Sequence, residues 1–258
     1  MIKSISIFIE DSRGGNQKTM YADDLMESSS TIKIPLLAMA LQKLSADGLN
    51  LDDQLPRLPH HASTGSGILN WTAASEYSFK DLLSTLVIYS DCLAANMLID
   101  FVGGQSALNN WLAGQGFKTK LLIPYFHFSD QKGQMPVVGS TTAREMVQLF
   151  ELLEDEINLS EQPVKYLLEQ SLTHINESWF ELALAKPLTG LRHKTGSMID
   201  CGPHGETVYN AAGSYRAGKH KFHFCVLSHG FLRPGKDEMS SDNLRKQVAS
   251  AFSKQTAC

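Results

Sequence analysis

The order of hydrophobic patterns along the 258 residues is what most restricts how this chain can fold. From Ile2 to Glu10 polar and apolar side chains alternate, and the run then meets Asp11, Gly14 and Gly15. That reads as a half-buried strand ending in a turn, with a second strand-like segment near 18–22. The middle of the chain changes to helical periodicity. Residues 191–198, 206–216 and 220–229 return to strand patterns, separated by turns at Gly202, Gly205 and Gly218. Connections this short join antiparallel neighbours, because a parallel crossover needs about a dozen residues. Strands at both ends and helices between them predict one mixed α/β (α+β) domain: an antiparallel sheet flanked by terminal helices, plus an inserted all-α lobe. The lobes are expected at approximately 1–27 plus 186–258 and at 28–185. A cleft between two such lobes is a natural binding site.

Local signals place the helices. Ser28, Ser29, Ser30 and Thr31 offer N-cap hydroxyls to a helix carrying Ile32, Leu36, Leu37, Ala40, Leu41 and Leu44, with Pro35 in its first turns and Gly48 as its stop. Residues 49–77 read as loop. Ser78 with Asp81, and Thr142 with Glu145, have capping-box spacing ahead of apolar helical runs. Further helices are expected around 93–101, 106–115, 142–156, 161–172 and 176–184, and a last one from about Ser241 to Phe252.

Composition removes several classes of function. Apolar residues make up 43% and charged residues 19%, ordinary for a globular protein. A net charge of -4 argues against nucleic acid held by phosphate neutralisation. No apolar run approaches the roughly 20 residues that span a bilayer. The N-terminal segment lacks the apolar core and cleavage site of a secretory signal, so the expectation is a cytoplasmic protein with no membrane partner. Cys92, Cys201, Cys225 and Cys258 lie far apart and are expected as free thiols.

Ser30-Thr31-Ile32-Lys33 sets a hydroxyl and an amine three residues apart at a helix start, on one face, so the amine can take the hydroxyl proton. Backbone N–H groups there can also face a developing oxyanion. Such a short pattern recurs by chance, as Ser129-Asp130-Gln131-Lys132 illustrates. Two further elements supply context: Ser90-Asp91-Cys92 between two helical patterns, and Lys194-Thr195-Gly196-Ser197 on the first C-terminal strand.

In these elements the chain resembles the penicillin-recognising serine enzymes, and their class A β-lactamase branch in particular. The intervals match without a gap: 60 residues from Ser30 to Ser90 and 104 from Ser90 to Lys194. Asp91 to Asn96, Gly103-Gly104 and Thr141 to Met146 are also similar to that branch. The resemblance implies the β-lactamase/transpeptidase-like fold with a five-stranded antiparallel sheet. It implies Ser30 as the nucleophile that forms an acyl-enzyme, Lys33 as its proton acceptor, directly or through water, and Ser90 as the relay to the leaving amine. Lys194 would supply positive charge, Thr195 and Ser197 would bind a substrate carboxylate, and the backbone N–H groups of Ser30 and Ser197 would form the oxyanion hole. Asp91 is expected to hold its turn. No cofactor and no metal are implied.

Two departures stand out. Cys92 occupies the position where the family has Asn, so substrate contacts there are expected to be weaker or different. The family's E-x-x-L-N loop, whose Glu activates the deacylating water, is missing: no Glu occurs between Gly104 and Ser140, and gapless alignment puts Phe126 at the Glu position and Asp130 at the Asn position. His127 is the local substitute base, with Asp130 as a group that could orient water. His220 and His223 have close spacing, but on a strand residues three apart face opposite sides, so they are expected as surface or hairpin histidines. The expected function is a serine hydrolase opening a β-lactam through an acyl-enzyme on Ser30. A cytoplasmic esterase, amidase or peptidase of the same fold, and a non-turnover penicillin-binding or sensor protein, stand as alternatives. The partner is a small carboxylate-bearing amide or ester; the oligomeric state is not legible.

Overall fold

The computed structural model describes residues 4–14, 16–128, 136–174, 179–184, 187–199, 206–229, 231–232 and 238–253. The strands are β1 (Ser4–Asp11), β2 (Gln17–Met20), β3 (Met26–Glu27), β4 (Gln54–Pro56), β5 (Glu76–Ser78), β6 (Lys120–Leu121), β7 (Gly139–Thr141), β8 (Thr189–Ile199), β9 (Glu206–Ala217), β10 (His220–His229) and β11 (Phe231–Leu232). The helices are α1 (Lys33–Ala46), α2 (Phe79–Ile88), α3 (Cys92–Phe101), α4 (Gln105–Gly114), α5 (Ala143–Leu159), α6 (Gln162–Ser171), α7 (Trp179–Ala183) and α8 (Glu238–Ser253).

The main sheet runs β8–β9–β10–β1–β2, antiparallel throughout, and β11 continues along β9 past the end of β10. The N-terminal strand therefore sits inside the sheet, with Phe8 opposite Cys225. This is the expected five-lane sheet built from both ends of the chain. β8, which carries Lys194, pairs only with β9 among the described strands.

β1 is buried on both faces rather than half-buried as its alternation suggested. Ile5, Ile7 and Ile9 pack with Phe224, Val226, Tyr215 and the apolar side of α8, while Phe8 joins Cys225, Leu227 and the helices on the other face. Even Ser6 is fully buried, its hydroxyl donating to the Tyr21 carbonyl at 2.9 Å. An alternating strand can serve two cores when its polar positions are small and hydrogen-bonded.

α1 is buried almost all round, Ile34 and Ala38 included, as suits the central helix of a bundle. The Ser78–Asp81 capping box forms as expected, with Asp81 N–H on Ser78 Oγ at 3.1 Å. At Thr142 only half the box forms. Thr142 Oγ1 receives the Glu145 N–H, but the Glu145 carboxylate turns to the Lys118 and Thr119 N–H groups at 2.9 and 2.8 Å. The chain entering β6 offers that carboxylate two backbone donors and the Thr119 hydroxyl in place of one. Residues 49–77 are largely loop, as expected, closed at the base by pairing of β4 with β5.

His223 corrects one expectation. It is 4% exposed, and its Nε2 faces Glu154 Oε2 at 2.7 Å, where Lys221 Nζ also arrives at 2.5 Å; Ser214 Oγ donates to Oε1 at 2.8 Å. His220 faces the other side and meets Asp11 at 2.7 Å. The two histidines lie on opposite sides as strand geometry requires, and His223 is buried because α5 lays the Glu154 carboxylate against β10. Burial pushes the Glu154 carboxyl upward, yet the hydrogen bonds from His223 and Lys221 outweigh it and hold it at about 2. Glu154→Ala is expected to cost roughly 1–3 kcal/mol in a denaturant titration, because it removes the hydrogen bonds from Lys221, Ser214 and buried His223, while His223 keeps Glu151 at 2.9 Å. Since the folded value lies below the ordinary 4.5, the contribution is present above about 4.5 and disappears as pH falls toward 2. The stability gap between the native protein and Glu154→Gln should narrow over that interval.

Candidate active site

The chain enters the site through a tight turn. Ser29 has φ of 45°, in the left-handed region, and one 3-10 turn over Ser29–Ile32 precedes α1. The expected N-cap does not form: neither Ser28 nor Ile32 makes a side-chain cap bond, and Thr31 Oγ1 donates back to Ser28 O at 2.6 Å. The Ser30 hydroxyl is thereby left to Lys33, whose Nζ donates to Ser30 Oγ at 3.2 Å.

The same amine donates to Ser90 Oγ at 3.2 Å, to Ser90 O at 2.5 Å and to Cys92 Sγ at 3.4 Å. Ser90 is a second left-handed residue, φ 53°. Non-glycine residues there cost on the order of 1–3 kcal/mol and persist only where surroundings over-determine them. Asp91 is the restraint. Its carboxylate accepts the N–H groups of Ile68, Leu69 and Ala94 at 2.7, 2.9 and 3.0 Å, capping α3 and tying the 66–69 loop to the turn. Asp91 holds the turn, as its position suggested.

β8 brings the third element. A side chain on Gly196 would meet the Ser30 and Thr31 nitrogens at 2.7 and 2.8 Å, so only glycine lets the strand press against the serine turn. Lys194 is 3% exposed and donates to the Thr195 carbonyl at 2.6 Å; Thr195 is buried and Ser197 half-buried beside it. Lys33 and Lys194 both border a cavity of about 10 Å³, also lined by Ile34, Leu37 and Leu86. That volume is on the scale of one water molecule. The two lysines, far apart in sequence, thus share one small, otherwise apolar space.

Cys92, expected among the substrate contacts, is 2% exposed, and its thiol faces the Lys33 amine. Phe126 closes the other side: its ring centroid lies 4.6 Å from Lys33 Nζ, a cation–π contact, and the ring is buried. Its backbone is held at both ends, N–H to Asn96 Oδ1 at 2.7 Å and carbonyl from Ser63 Oγ at 2.5 Å. His127 is exposed and pairs with the His60 carbonyl at 3.0 Å, so its hydrogen bond runs away from Lys33. Asp130 lies outside the described residues, as do the second S-x-x-K pattern and Cys201 and Cys258. Among the described residues no carboxylate forms an ion pair with Lys33.

Sequence reasoning missed two features. Glu27 stands three residues before Ser30, and burial raises its carboxyl to about 7. His60, His61 and Asp100 form the single His/Asp cluster with metal-ligand spacing among the described residues. Their chemistry speaks for hydrogen bonding. His61 Nδ1 accepts the Leu58 N–H at 3.0 Å, so its proton sits on Nε2, which points at Asp100 Oδ2 at 2.8 Å. A metal-bound imidazole needs the opposite arrangement. Asp100 also takes the Tyr125 hydroxyl at 2.6 Å, and so anchors the loop that carries Phe126.

Comparison with known proteins now bears on this geometry. The model of the β-lactamase enzyme family matches residues 2–255. The chain belongs to that family. Its solved structural neighbours include PBP-A, at 22% identity, covering 98% of this chain and 91% of that one with a TM-score of 0.73. A variant of PBP-A, as its acyl-enzyme complex with penicillin G, gives a TM-score of 0.74 at the same identity and coverage. A β-lactamase from Sphaerobacter thermophilus is 19% identical over 99% of this chain and 92% of that one, with a TM-score of 0.73. No curated protein matches in sequence. The β-lactamase/transpeptidase-like fold is therefore established, and the chain is by family a serine β-lactamase-like hydrolase. No described helix of this family member is long and apolar enough to cross a membrane.

Proposed function

We propose that the protein is an acyl-transfer enzyme that opens β-lactams, or similar cyclic amides, through an ester on Ser30. One observation carries the reading: a single buried amine, Lys33 Nζ, stands 3.2 Å from both Ser30 Oγ and Ser90 Oγ. Lys33 Nζ takes the Ser30 proton while Oγ attacks the carbonyl carbon. The proton then passes through Ser90 to the departing nitrogen. The N–H groups of Ser30 and Ser197 receive the oxyanion, each such donor being worth roughly 3 kcal/mol of barrier. Lys194, with the Thr195 and Ser197 hydroxyls, attracts the substrate carboxylate. Cys92 serves this scheme by its contact with Lys33 rather than by reading the substrate.

Phe126 favours a second reading, of rapid acylation and slow release. An aromatic face lies against Lys33 at the position aligned with the family's hydrolytic Glu, and it offers no group that could take a proton from water. His127 remains the candidate base on the same loop, and its bond to His60 must open before it can act. Intact-protein mass spectrometry after incubation with a penicillin, run beside a ring-opening assay, tests both readings. An adduct on Ser30 that persists for many minutes supports acylation with slow release. Fast ring opening with little adduct supports a β-lactamase with a substitute base. If neither adduct nor ring opening occurs, and simple esters are also untouched, the proposal is overturned.

A further inference from the structure

The thiol at Cys92 has no part in the acyl-transfer scheme beyond its contact with Lys33, and that contact pairs two nucleophiles. Sγ lies 3.4 Å from Lys33 Nζ and 3.5 Å from Ser66 Oγ, while Ser66 itself is exposed. The sulfur is thus one hydroxyl from solvent although Cys92 is 2% exposed. The loop also packs closely on it: a side chain on Gly65 would stand 2.6 Å from the sulfur. The other cysteine described as free, Cys225, is buried in the sheet, and burial pushes its thiol pKa well above the ordinary value. Only Cys92 among the described cysteines has an amine beside it.

We infer that Cys92 and Lys33 form an oxidative modification site, in which hydrogen peroxide joins sulfur to the catalytic amine as a sulfenamide and so switches the enzyme off. Peroxide first oxidises the thiol: sulfur gives two electrons, one peroxide oxygen becomes the sulfenic hydroxyl, and the other leaves as water. The Lys33 nitrogen, as free base, then attacks sulfur. The S–O bond breaks, an S–N bond forms, and the hydroxyl departs as water with a proton from nitrogen. The protein loses two hydrogens overall, and two peroxide oxygen atoms end in two waters. A dithiol reverses the link, returning thiol and amine while it becomes a disulfide. Lysine's four-carbon stem supplies the travel that closing the contact requires. The link leaves a weakly basic nitrogen tethered to sulfur in place of the amine that acylation needs, so the loss of activity rests on the role proposed for Lys33, whereas the chemistry of the link does not.

The test is peptide mass spectrometry of the whole protein treated with dilute hydrogen peroxide, alkylated, and digested with a protease that does not cut at lysine. The expected result is a Cys92 peptide joined to the Lys33 peptide with the loss of two hydrogens, released by dithiothreitol and absent from Cys92→Ser. In Lys33→Arg no link forms, and a dione probe traps the sulfenic acid on Cys92 instead. Penicillin labelling of Ser30 should fall as the link accumulates and return after dithiothreitol. The inference is overturned if Cys92 in the native protein stays unoxidised, or if the dione probe traps it as readily there as in Lys33→Arg. Because the peptides are read without any substrate, a failure to acylate Ser30 would sink the function proposed above and leave this result readable.

Discussion

Ser30→Ala should abolish acyl transfer, with a loss on the order of a millionfold where nucleophile and base act as one unit. The reason is geometric. Ser30 Oγ is the hydroxyl that Lys33 Nζ meets while bridging to Ser90, and the other described partners of that amine are a carbonyl oxygen, a buried thiol and an aromatic face. Ser90 Oγ is not an equivalent substitute, since it sits on a turn that Asp91 clamps to the 66–69 loop, whereas β8 presses against the Ser30 turn at Gly196. The fold should not notice the change, because the Ser30 side chain is half-exposed and accepts a single described hydrogen bond. A thermal melt that coincides with the native one, together with no penicillin adduct and no ring opening, is the expected outcome. Hydrolysis persisting in a folded Ser30→Ala protein would falsify the assignment of the nucleophile and every role built around it.

Phe126→Glu should shorten the lifetime of the acyl-enzyme by about a hundredfold to ten-thousandfold, the range that a positioned general base contributes. The ring centroid is 4.6 Å from Lys33 Nζ, so a carboxylate put there can pair with the amine and hold a water against the ester on Ser30. The backbone is already fixed by Asn96 and Ser63, and Tyr125 is tied to Asp100, so the loop does not have to be rebuilt to carry the new group. Stability should fall by roughly 3–5 kcal/mol, the usual cost of emptying a buried phenylalanine site. Phe126→Gln, which is similar in size and cannot act as a base, separates the two effects: it should share the lost stability and keep the long-lived adduct. Stopped mass spectrometry of the adduct over time makes the comparison. Equal lifetimes in folded Phe126→Glu and in the native protein would remove this residue from the account of slow release.

Much of the architecture was legible because it rests on local periodicity. The terminal strands, the helices between them and the Ser78–Asp81 cap follow from patterns of two and of 3.6 residues that no tertiary contact had to decide. The four chemical groups at Ser30, Lys33, Ser90 and Lys194 were legible for a different reason, since a resemblance reads order and spacing directly. Their meeting was not. It depends on a left-handed Ser90, a Gly196 with no room for a side chain, and a strand edge pressed against a turn.

The features that escaped sequence reasoning all involve one element laid against another. Glu154 is an ordinary helix-face glutamate until α5 covers β10, and only then does it bind His223 and Lys221 in a buried network. Phe126 is one aromatic in a loop of several until it lies over the Lys33 amine, and Cys92 is a small helix-start residue until its sulfur faces the same atom. What the amino-acid order determined by itself was the set of elements and the candidate reacting groups, because both are encoded within short stretches. What the tertiary structure alone decided was which of those groups touch, since contacts between residues 57 or 93 positions apart exist only once packing brings their elements together.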